Sequence, residues 1–398
     1  MNNRHFQTAY ILPILFGLII VLMFVLYIFL PQQDFSQKEN RSLQTRPSVT
    51  LSGLSDGSFM DKFETYTTEQ LPFREFFVDV KAALNRLTLS RENNGVILGE
   101  DGYLFEKSYG VSPQLSKNEA AILAFLESAD RPVTVAIAPN ASEILKDKLP
   151  KGCIRIDQSR ELGALYEKIG SLPNGNYVNL IETLQTHTEE QLYYRTDHHW
   201  TTEAAYLGYL EIVNALSDIQ DAQTENAEEQ QILREVQEKS LPAPVKLEDL
   251  QKQEVRDFYG TLYAKYKDNG LPGDTLTYYD IPVTSFTRSD GSFDSLYDLE
   301  KLKIYDKYAM FLRGNDEICT IHAENAKNGR TLVVFKDSYA NCLLPFLTYQ
   351  YDEIVVVDLR YYADSVSELL KEHEDADILL LYNFSFLNED NHFYRLTS

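Results

Sequence analysis

An aspartate and a histidine two residues apart are the first candidates for chemistry. Asp197 and His199 flank His198 and precede Trp200, the only tryptophan of the chain. In an extended backbone residues i and i+2 point to the same side, so the two side chains can meet. A carboxylate that accepts a hydrogen bond from one imidazole nitrogen fixes the tautomer and leaves the other nitrogen as a base. The competing interpretation is a helix-capping aspartate with two structural histidines.

A serine at the end of an apolar run is the second candidate. Residues 332–335 (LVVF) are typical of a buried strand, and Ser338 follows shortly before a helix-like stretch. Backbone N–H groups at such a helix start can hold an oxyanion. Serine is a poor nucleophile unless a base takes its proton, and His199 is available for that role. The alternative is an ordinary N-cap serine. Together, the residue types predict a Ser338, His199 and Asp197 triad for acyl transfer.

A metal site is the main alternative among enzymes. It would use Asp197, His198 and His199 with a distant His187 or His322. Adjacent histidines fit poorly, because metal-binding histidines usually stand at i, i+4 or at separated positions. The three cysteines show neither a C-x-x-C nor a zinc spacing. The sequence holds no phosphate loop, dinucleotide fingerprint or haem motif, so we predict neither a metal nor a cofactor.

The elements that would position these residues follow an α/β pattern. Helix-like stretches at Tyr339–Tyr349 and Ser365–His373 alternate with apolar runs, and Thr201 or Thr202 could cap a helix from Glu203 to Leu216. Strand, helix, strand order implies right-handed crossovers and a parallel sheet, with ligands beyond the carboxyl ends of the strands. The predicted strands are Pro132–Ala138, Tyr177–Leu180, Thr331–Phe335, Glu353–Leu359 and Asp377–Tyr382.

Charge and hydropathy exclude some classes of protein. The 398 residues carry 60 acidic side chains against 37 Lys and Arg, a net charge of -23. Such a surface argues against nucleic acid as a partner, because phosphate binding needs a basic face.

Tyr10 to Leu30 contains no charged residue and would form a helix about 31 Å long, enough to cross a bilayer. A cleaved signal peptide would have a shorter apolar core and a small-residue cleavage site, so we predict an uncleaved anchor.

The predicted organisation has four parts. Residues 1–9 are a cytoplasmic tail, 10–30 a transmembrane anchor, 31–95 a helical stalk, and 96–398 an α/β domain with an insertion at about 218–325. The insertion begins with the acidic segment 218–256, a solvated helix or partly disordered loop, and continues as irregular Tyr-rich hairpins. We expect a single-pass protein with its N-terminus inside and its C-terminal domain extracytoplasmic, although the flanking basic residues do not favour that orientation.

The sequence resembles a known family at these motifs. Asp197-His198-His199-Trp200 matches the tetrad that names the bacterial DHHW proteins, relatives of the AlgX/AlgJ group of SGNH-hydrolase-like polysaccharide O-acetyltransferases. The resemblance covers most of residues 38–385, apart from the acidic insertion. Further blocks in the family's order are Glu39-Asn40-Arg41, Leu71-Pro72-Phe73-Arg74, Gly99 to Phe105 and Lys336 to Asn341.

The resemblance implies a three-layer α/β/α SGNH-like fold with a mainly parallel sheet. It assigns Ser338 as nucleophile, His199 as base and Asp197 as its orienting acid. It also implies a polysaccharide substrate and an acyl donor, which could be a membrane protein. Lys336 departs from the Gly-Asp-Ser block of ordinary SGNH hydrolases, so the oxyanion donors cannot be aligned. His198, Trp200, Asp337 and Asn341 are candidate supporting residues, and Asn315 is a candidate oxyanion contributor.

Two further expectations remain open at this stage. Tyr193, Tyr194 and Trp200 could stack on sugar rings or form part of the core, and for Trp200 the core is preferred. Proteins with intact motifs need not be active. A non-catalytic envelope protein that binds glycan is therefore the alternative to an O-acetyltransferase or acetylesterase.

Overall fold

The computed structural model describes residues 3–36, 41–88, 90–224, 241–267 and 270–398. The family block at 39–41 and the acidic segment at 218–256 fall partly outside these residues. The helices are Asn3–Phe29 (α1), Leu51–Ser55 (α2), Ser58–Glu69 (α3), Arg74–Leu87 (α4), Pro113–Ser128 (α5), Ala141–Ile144 (α6), Gln158–Gly170 (α7), Leu180–Gln185 (α8), Thr202–Thr224 (α9), Thr261–Tyr266 (α10), Leu344–Leu347 (α11), Val366–Glu372 (α12) and Phe384–Glu389 (α13).

The strands are mostly short. They are Phe35–Ser36 (β1), Arg41–Ser42 (β2), Glu92–Asn93 (β3), Val96–Leu98 (β4), Leu104–Glu106 (β5), Val133–Ala138 (β6), Gly175–Val178 (β7), Gln251–Phe258 (β8), Asp274–Asp280 (β9), Ser285–Arg288 (β10), Gly291–Phe293 (β11), Ile318–His322 (β12), Thr331–Lys336 (β13), Glu353–Val357 (β14) and Asp377–Asn383 (β15).

The chain divides into two compact units. The first holds the described residues up to Asn93 and a short return between Ala264 and Gly270. It contains α1 to α4. Within α1, Tyr10–Phe29 is a 20-residue stretch apolar enough to cross a membrane, and none of its most apolar window is buried.

An eight-stranded sheet forms the centre of the second unit. Its order is β11-β10-β12-β14-β13-β15-β6-β7, and the five strands from β14 to β7 are parallel. Every residue of β6 is buried, as expected where both faces of a parallel sheet are covered. Two helix groups cover them: α5 contacts α7 and α13, whereas α9 contacts α8 and α11. The predicted parallel α/β architecture is therefore present.

Three strands come from a region that the sequence assigned to an insertion. β10, β11 and β12 lie between residues 285 and 322 and extend the sheet beyond β14, each pairing antiparallel with its neighbour. Their alternating burial and short length explain why they read as irregular hairpins. The stretch 257–325 is thus partly a component of the main sheet.

Candidate active site

A tight loop between α8 and α9 carries Asp197 and His199. The loop closes through an antiparallel bridge between Tyr193 and Trp200. Thr201 then caps α9, because its side-chain oxygen accepts a hydrogen bond from the Ala204 N–H. The cap of this helix is therefore a threonine, and Asp197 is left for another role.

Asp274 fixes the approach to this loop. Its carboxylate, buried at the start of β9, accepts hydrogen bonds from the backbone N–H groups of Arg195 at 3.0 Å and Thr196 at 2.8 Å. The Thr196 hydroxyl donates to the same group at 2.6 Å. Three hydrogen bonds to one buried carboxylate hold the backbone just before Asp197.

The predicted nucleophile, base and acid lie in one hydrogen-bonded chain. His199 Nε2 is 2.8 Å from Ser338 Oγ, and His199 Nδ1 is 2.5 Å from Asp197 Oδ1. The charged oxygen is an acceptor, so Nδ1 carries the proton and Nε2 is free to accept the serine proton. His199 and Ser338 lie 139 positions apart in the sequence, so only the fold brings them together.

Asp197 is held by donors on both oxygens. Oδ1 also accepts from the His199 backbone N–H at 2.9 Å, and Oδ2 accepts from the Thr261 N–H at 2.7 Å and its hydroxyl at 3.1 Å. Gly260 permits this approach, because a Cβ there would lie 2.1 Å from Asp197 Oδ2. The carboxylate therefore has one orientation relative to the imidazole.

The electrostatics keep the acid ionised and the base neutral. Burial by itself would raise the pKa of Asp197, but the two neighbouring imidazoles and its hydrogen bonds hold that pKa well below the ordinary value. Burial lowers the pKa of His199 to about 4 and His198 adds to this effect, although Asp197 opposes it. At neutral pH His199 is an uncharged imidazole that can take a proton.

Ser338 stands at the carboxyl end of β13, where a short helical turn begins. The N-cap of that turn is the preceding residue, Asp337. Asp337 accepts from the Tyr339 N–H at 2.8 Å, so Ser338 is not the capping serine that the alternative interpretation required. The Ala340 N–H points to the Asp337 carbonyl oxygen. Because the N–H groups of Tyr339 and Ala340 already donate to Asp337, the Ser338 N–H is the candidate backbone donor for an oxyanion.

Asp337 also ties two adjacent strands together at the site. Its second oxygen accepts from the Asn383 N–H at 2.8 Å, at the end of β15. Burial raises the pKa of Asp337 to about 6, against the opposing effect of these N–H groups. Asp337 therefore holds the turn that carries Ser338 against the end of β15.

Tyr308 packs on the base and was missed by the sequence analysis. Its ring stacks on His199 with centroids 3.7 Å apart and an interplanar angle of 10°. Its hydroxyl donates to the Ser338 carbonyl oxygen at 2.9 Å. One buried side chain therefore restrains both partners of the Ser338–His199 hydrogen bond.

A cleft of about 390 Å³ opens beside Ser338 at the carboxyl edge of the sheet. This is where ligands are expected in open α/β sheets. Arg360, the only Lys or Arg among the described residues of its lining, is held by the buried Asp358 through bonds of 2.9 and 2.5 Å. Because this cation is paired, the carboxylates of Glu106, Glu389 and Asp390 make the cleft acidic. Side chains that define it include Glu106, His198, Ser338, Arg360, Glu389 and Asp390.

The remaining predicted residues divide between this cleft and the core. His198 lines the cleft, and its Nδ1 lies 2.7 Å from the Thr261 hydroxyl. Trp200 is fully buried and donates to the Tyr339 carbonyl oxygen at 2.9 Å. Tyr193 and Tyr194 are also fully buried. Of the two interpretations, core or sugar stacking, the burial of all three aromatic residues supports the core, the interpretation preferred for Trp200, and none of them lines the cleft.

Asn315 and Asn341 belong to a polar cluster around a buried lysine. Lys336 Nζ donates to Asn315 Oδ1 and Asn341 Oδ1, each at 2.9 Å, and lies 3.8 Å from Asp358. Asn341 Nδ2 donates to Asn315 at 3.2 Å. Burial lowers the pKa of Lys336, although Asp358 opposes this effect. Within the described residues the contacts of Asn315 are to this cluster and not to Ser338.

The metal alternative is weakened by the use of its ligand atoms. Asp197, His198 and His199 do bring one ligand atom each within 4.8 Å of one another. However, both Asp197 oxygens accept protein donors, and His199 Nε2 faces Ser338. A cation would have to displace these contacts. The donor set suits a proton-transfer chain better.

The low pKa of His199 predicts an unusual pH profile. If this imidazole is the base, kcat/KM for an aryl acetate should stay high through pH 6 and fall as pH drops through about 4, because only then does His199 become protonated. The pKa of histidine in the unfolded chain is near 6.5, above that of His199 in the fold. The unfolded chain therefore takes up this proton first, and the free energy of unfolding decreases as pH falls from about 6.5 to 4. A pH series of initial rates measures the first effect.

Asp337 supplies the control for this series. Its pKa of about 6 can add a second inflection. An inflection near 6 that disappears in Asp337→Asn belongs to that carboxyl. A limb near 6.5 that persists in the variant would contradict the assignment of a depressed pKa to the base.

Comparison with known proteins supports the family resemblance. Residues 96–276 match the family described as the SGNH hydrolase-like domain of the acetyltransferase AlgX. Among curated proteins no sequence match was found. The resemblance inferred from the sequence motifs is confirmed, with the matched segment covering the Asp197–His199 loop and ending before Ser338.

Solved structures show the same fold. A DHHW family protein from Eubacterium siraeum is 24% identical with a TM-score of 0.59, covering 76% of this chain and 95% of that chain. Bacillus cereus PatB1, solved with a sulfonyl adduct, is 20% identical with a TM-score of 0.57, covering 76% of this chain and 98% of that chain. The SGNH-like α/β fold predicted from the sequence is confirmed.

Proposed function

We propose that this chain, which carries an SGNH hydrolase-like domain of the AlgX acetyltransferase family in residues 96–276, is a serine O-acetyltransferase that modifies an extracytoplasmic glycan. The observation that carries the proposal is the hydrogen-bonded chain of Asp197, His199 and Ser338 at the edge of an open cleft. A polysaccharide acceptor follows from the family resemblance. The apolar stretch Tyr10–Phe29 would anchor the protein in the membrane.

The first half of the reaction forms an acyl-enzyme. His199 Nε2 takes the Ser338 proton while Oγ attacks the ester carbonyl carbon, and the negative charge moves to the carbonyl oxygen. The tetrahedral intermediate collapses, the ester C–O bond breaks, and His199 returns the proton to the leaving alcohol. Asp197 stabilises the imidazolium formed between these steps.

The oxyanion requires donors that the sequence did not reveal. The Ser338 N–H is one candidate. Asn383 is the other, because it ends the strand adjacent to β13 and lines the same cleft. Its Nδ2 donates one hydrogen to the Ala138 carbonyl oxygen at 3.1 Å, which leaves the second hydrogen for the oxyanion. Each such donor is worth about 3–4 kcal/mol in the transition state.

The second half of the reaction transfers the acyl group. An acceptor hydroxyl gives its proton to His199 and attacks the acyl carbon, and the collapse returns Ser338 with its proton. Ser338 is half-exposed at the cleft, so water can compete with the acceptor. We therefore expect slow esterase activity when no glycan is present, and faster acyl turnover when a suitable glycan is added.

The test uses the full-length chain in detergent with 4-nitrophenyl acetate as donor. We choose a neutral oligosaccharide as acceptor, because the acidic cleft repels anions. The expected result is a Ser338-dependent acetylated oligosaccharide detected by mass spectrometry. A sulfonyl fluoride should also label Ser338, as the sulfonyl adduct of PatB1 suggests.

Two results would contradict the proposal in different ways. Hydrolysis without any acetylated sugar, across neutral acceptors, would favour an esterase. No turnover and no labelling of Ser338, with measurable glycan binding, would favour the non-catalytic envelope protein. Matched reactions with Ser338→Ala correct for acetyl transfer that occurs without the enzyme.

A further inference from the structure

An exposed apolar face runs along α4 in the first unit. From Phe76 to Leu87 its residues recur at spacings of three, four and seven, which places them on one side of α4, and Phe73 directly precedes the helix. Their exposed fractions range from 39% to 80%, although helices of soluble domains usually turn such a face inward. A contiguous apolar patch of this kind marks an interaction surface. The residues of this face are Phe73, Phe76, Phe77, Val80, Leu84 and Leu87.

The exit of α1 is tied to α3, the helix just before α4. The rings of Tyr27 and Tyr66 pack edge to face with centroids 5.9 Å apart. Gln32 Nε2 donates to the Tyr66 hydroxyl at 3.1 Å. Gln33 and Gln70 exchange two hydrogen bonds, of 3.0 and 2.9 Å. The end of α3 is therefore fixed beside the point where the chain leaves the apolar helix.

The beginning of α4 lies at the same place. Only residues 71–73 separate Gln70 from α4, and three residues span at most about 11 Å. Leu30 and Pro31 line a cavity of about 360 Å³ together with Phe73 and Phe76. The first apolar residues of the α4 face thus border the exit of α1 directly.

We propose that α4 lies in the surface of the bilayer that α1 crosses, with its apolar face among the lipids. The occupant is lipid because the face is continuous with the end of the apolar helix. Lys81 lies beside the apolar face, where a long cationic side chain can reach lipid phosphates. This second attachment depends on α1 being a membrane anchor and is independent of the chemistry at Ser338.

Tryptophan scanning in lipid nanodiscs tests the proposal. The full-length chain carries Phe76→Trp or Phe77→Trp on the apolar face, and Glu75→Trp on the opposite side as the matched control. Trp200 is fully buried and gives a constant background. We expect the two face variants to show blue-shifted emission and at least a two-fold greater quenching by lipids brominated near the headgroup than Glu75→Trp.

The outcomes separate lipid from other coverings of this face. Equal quenching of the face and control variants by brominated lipid would overturn the proposal. So would protection of Phe76→Trp from aqueous iodide without quenching by brominated lipid, because protein would then cover the face. Failure of the chain to assemble with lipid at all would overturn both the anchor and the second attachment.

Discussion

Replacing Ser338 with alanine should lower kcat/KM for 4-nitrophenyl acetate by at least about 10³-fold, because no other hydroxyl contacts His199 Nε2 in the described part of the chain. The loss should lie in kcat, since the alanine removes the nucleophile and leaves the cleft walls in place. Ser338 is half-exposed at the cleft, so the variant creates no sizeable cavity.

Ser171→Ala is the matched control for that variant. Its hydroxyl is exposed at the end of α7 and donates to the Glu167 carbonyl oxygen, far along the chain from the site. We expect wild-type kinetics for this control and equal thermal midpoints for both variants. A Ser338→Ala protein that is folded and retains more than a tenth of the activity would show that another group is the nucleophile.

The sequence predicted the parts of the site that follow from local pattern. Ser338 follows a buried strand, and in a parallel sheet such a position is at the ligand edge. Asp197 and His199 are two residues apart, so their contact required only a local turn. The pairing of this loop with Ser338 came from the chemistry of serine nucleophiles and from the family resemblance.

The rest of the site depends on contacts between segments distant in sequence. Thr261 donates to Asp197 across 64 residues, and Tyr308 reaches the Ser338 carbonyl across 30. Both lie in the Tyr-rich stretch that read as irregular hairpins, and neither stands in a motif. Gly260 is visible in the sequence, but only the position of Asp197 in the fold shows why a side chain is excluded there.

Asn315 shows how a local motif can mislead. Gly314-Asn315-Asp316 superficially resembles an SGNH block, yet its asparagine oxygen accepts hydrogen bonds from Lys336 and Asn341. The amide that we propose instead, Asn383, ends a strand adjacent to β13. Strand adjacency is not visible in sequence order, because β13 and β15 are separated by β14 along the chain.

Replacing Asp197 with asparagine should reduce kcat by about 10³ to 10⁴-fold while the protein stays folded, on the general pattern of Ser-His-Asp triads. The four hydrogen bonds that this carboxylate accepts explain the size of the expected loss in kcat. Oδ1 accepts from the His199 N–H and Nδ1, and Oδ2 accepts from the Thr261 N–H and hydroxyl. An amide can place its oxygen on only one of these two sides.

Either orientation of the new amide has a definite cost. If its NH₂ faces His199, the imidazole must turn Nδ1 into an acceptor, so Nε2–H donates to Ser338 and no base remains. If its NH₂ faces Thr261, the Thr261 N–H loses its acceptor and the negative charge that stabilises the imidazolium is gone. Nitrogen NMR of the His199 ring distinguishes the two tautomers. Asp157→Asn, at the N-cap of α7, is the control because, among the described residues, the Asp157 carboxylate accepts a hydrogen bond only from the Arg160 N–H. A loss in kcat below ten-fold would show that Asp197 does not orient the base.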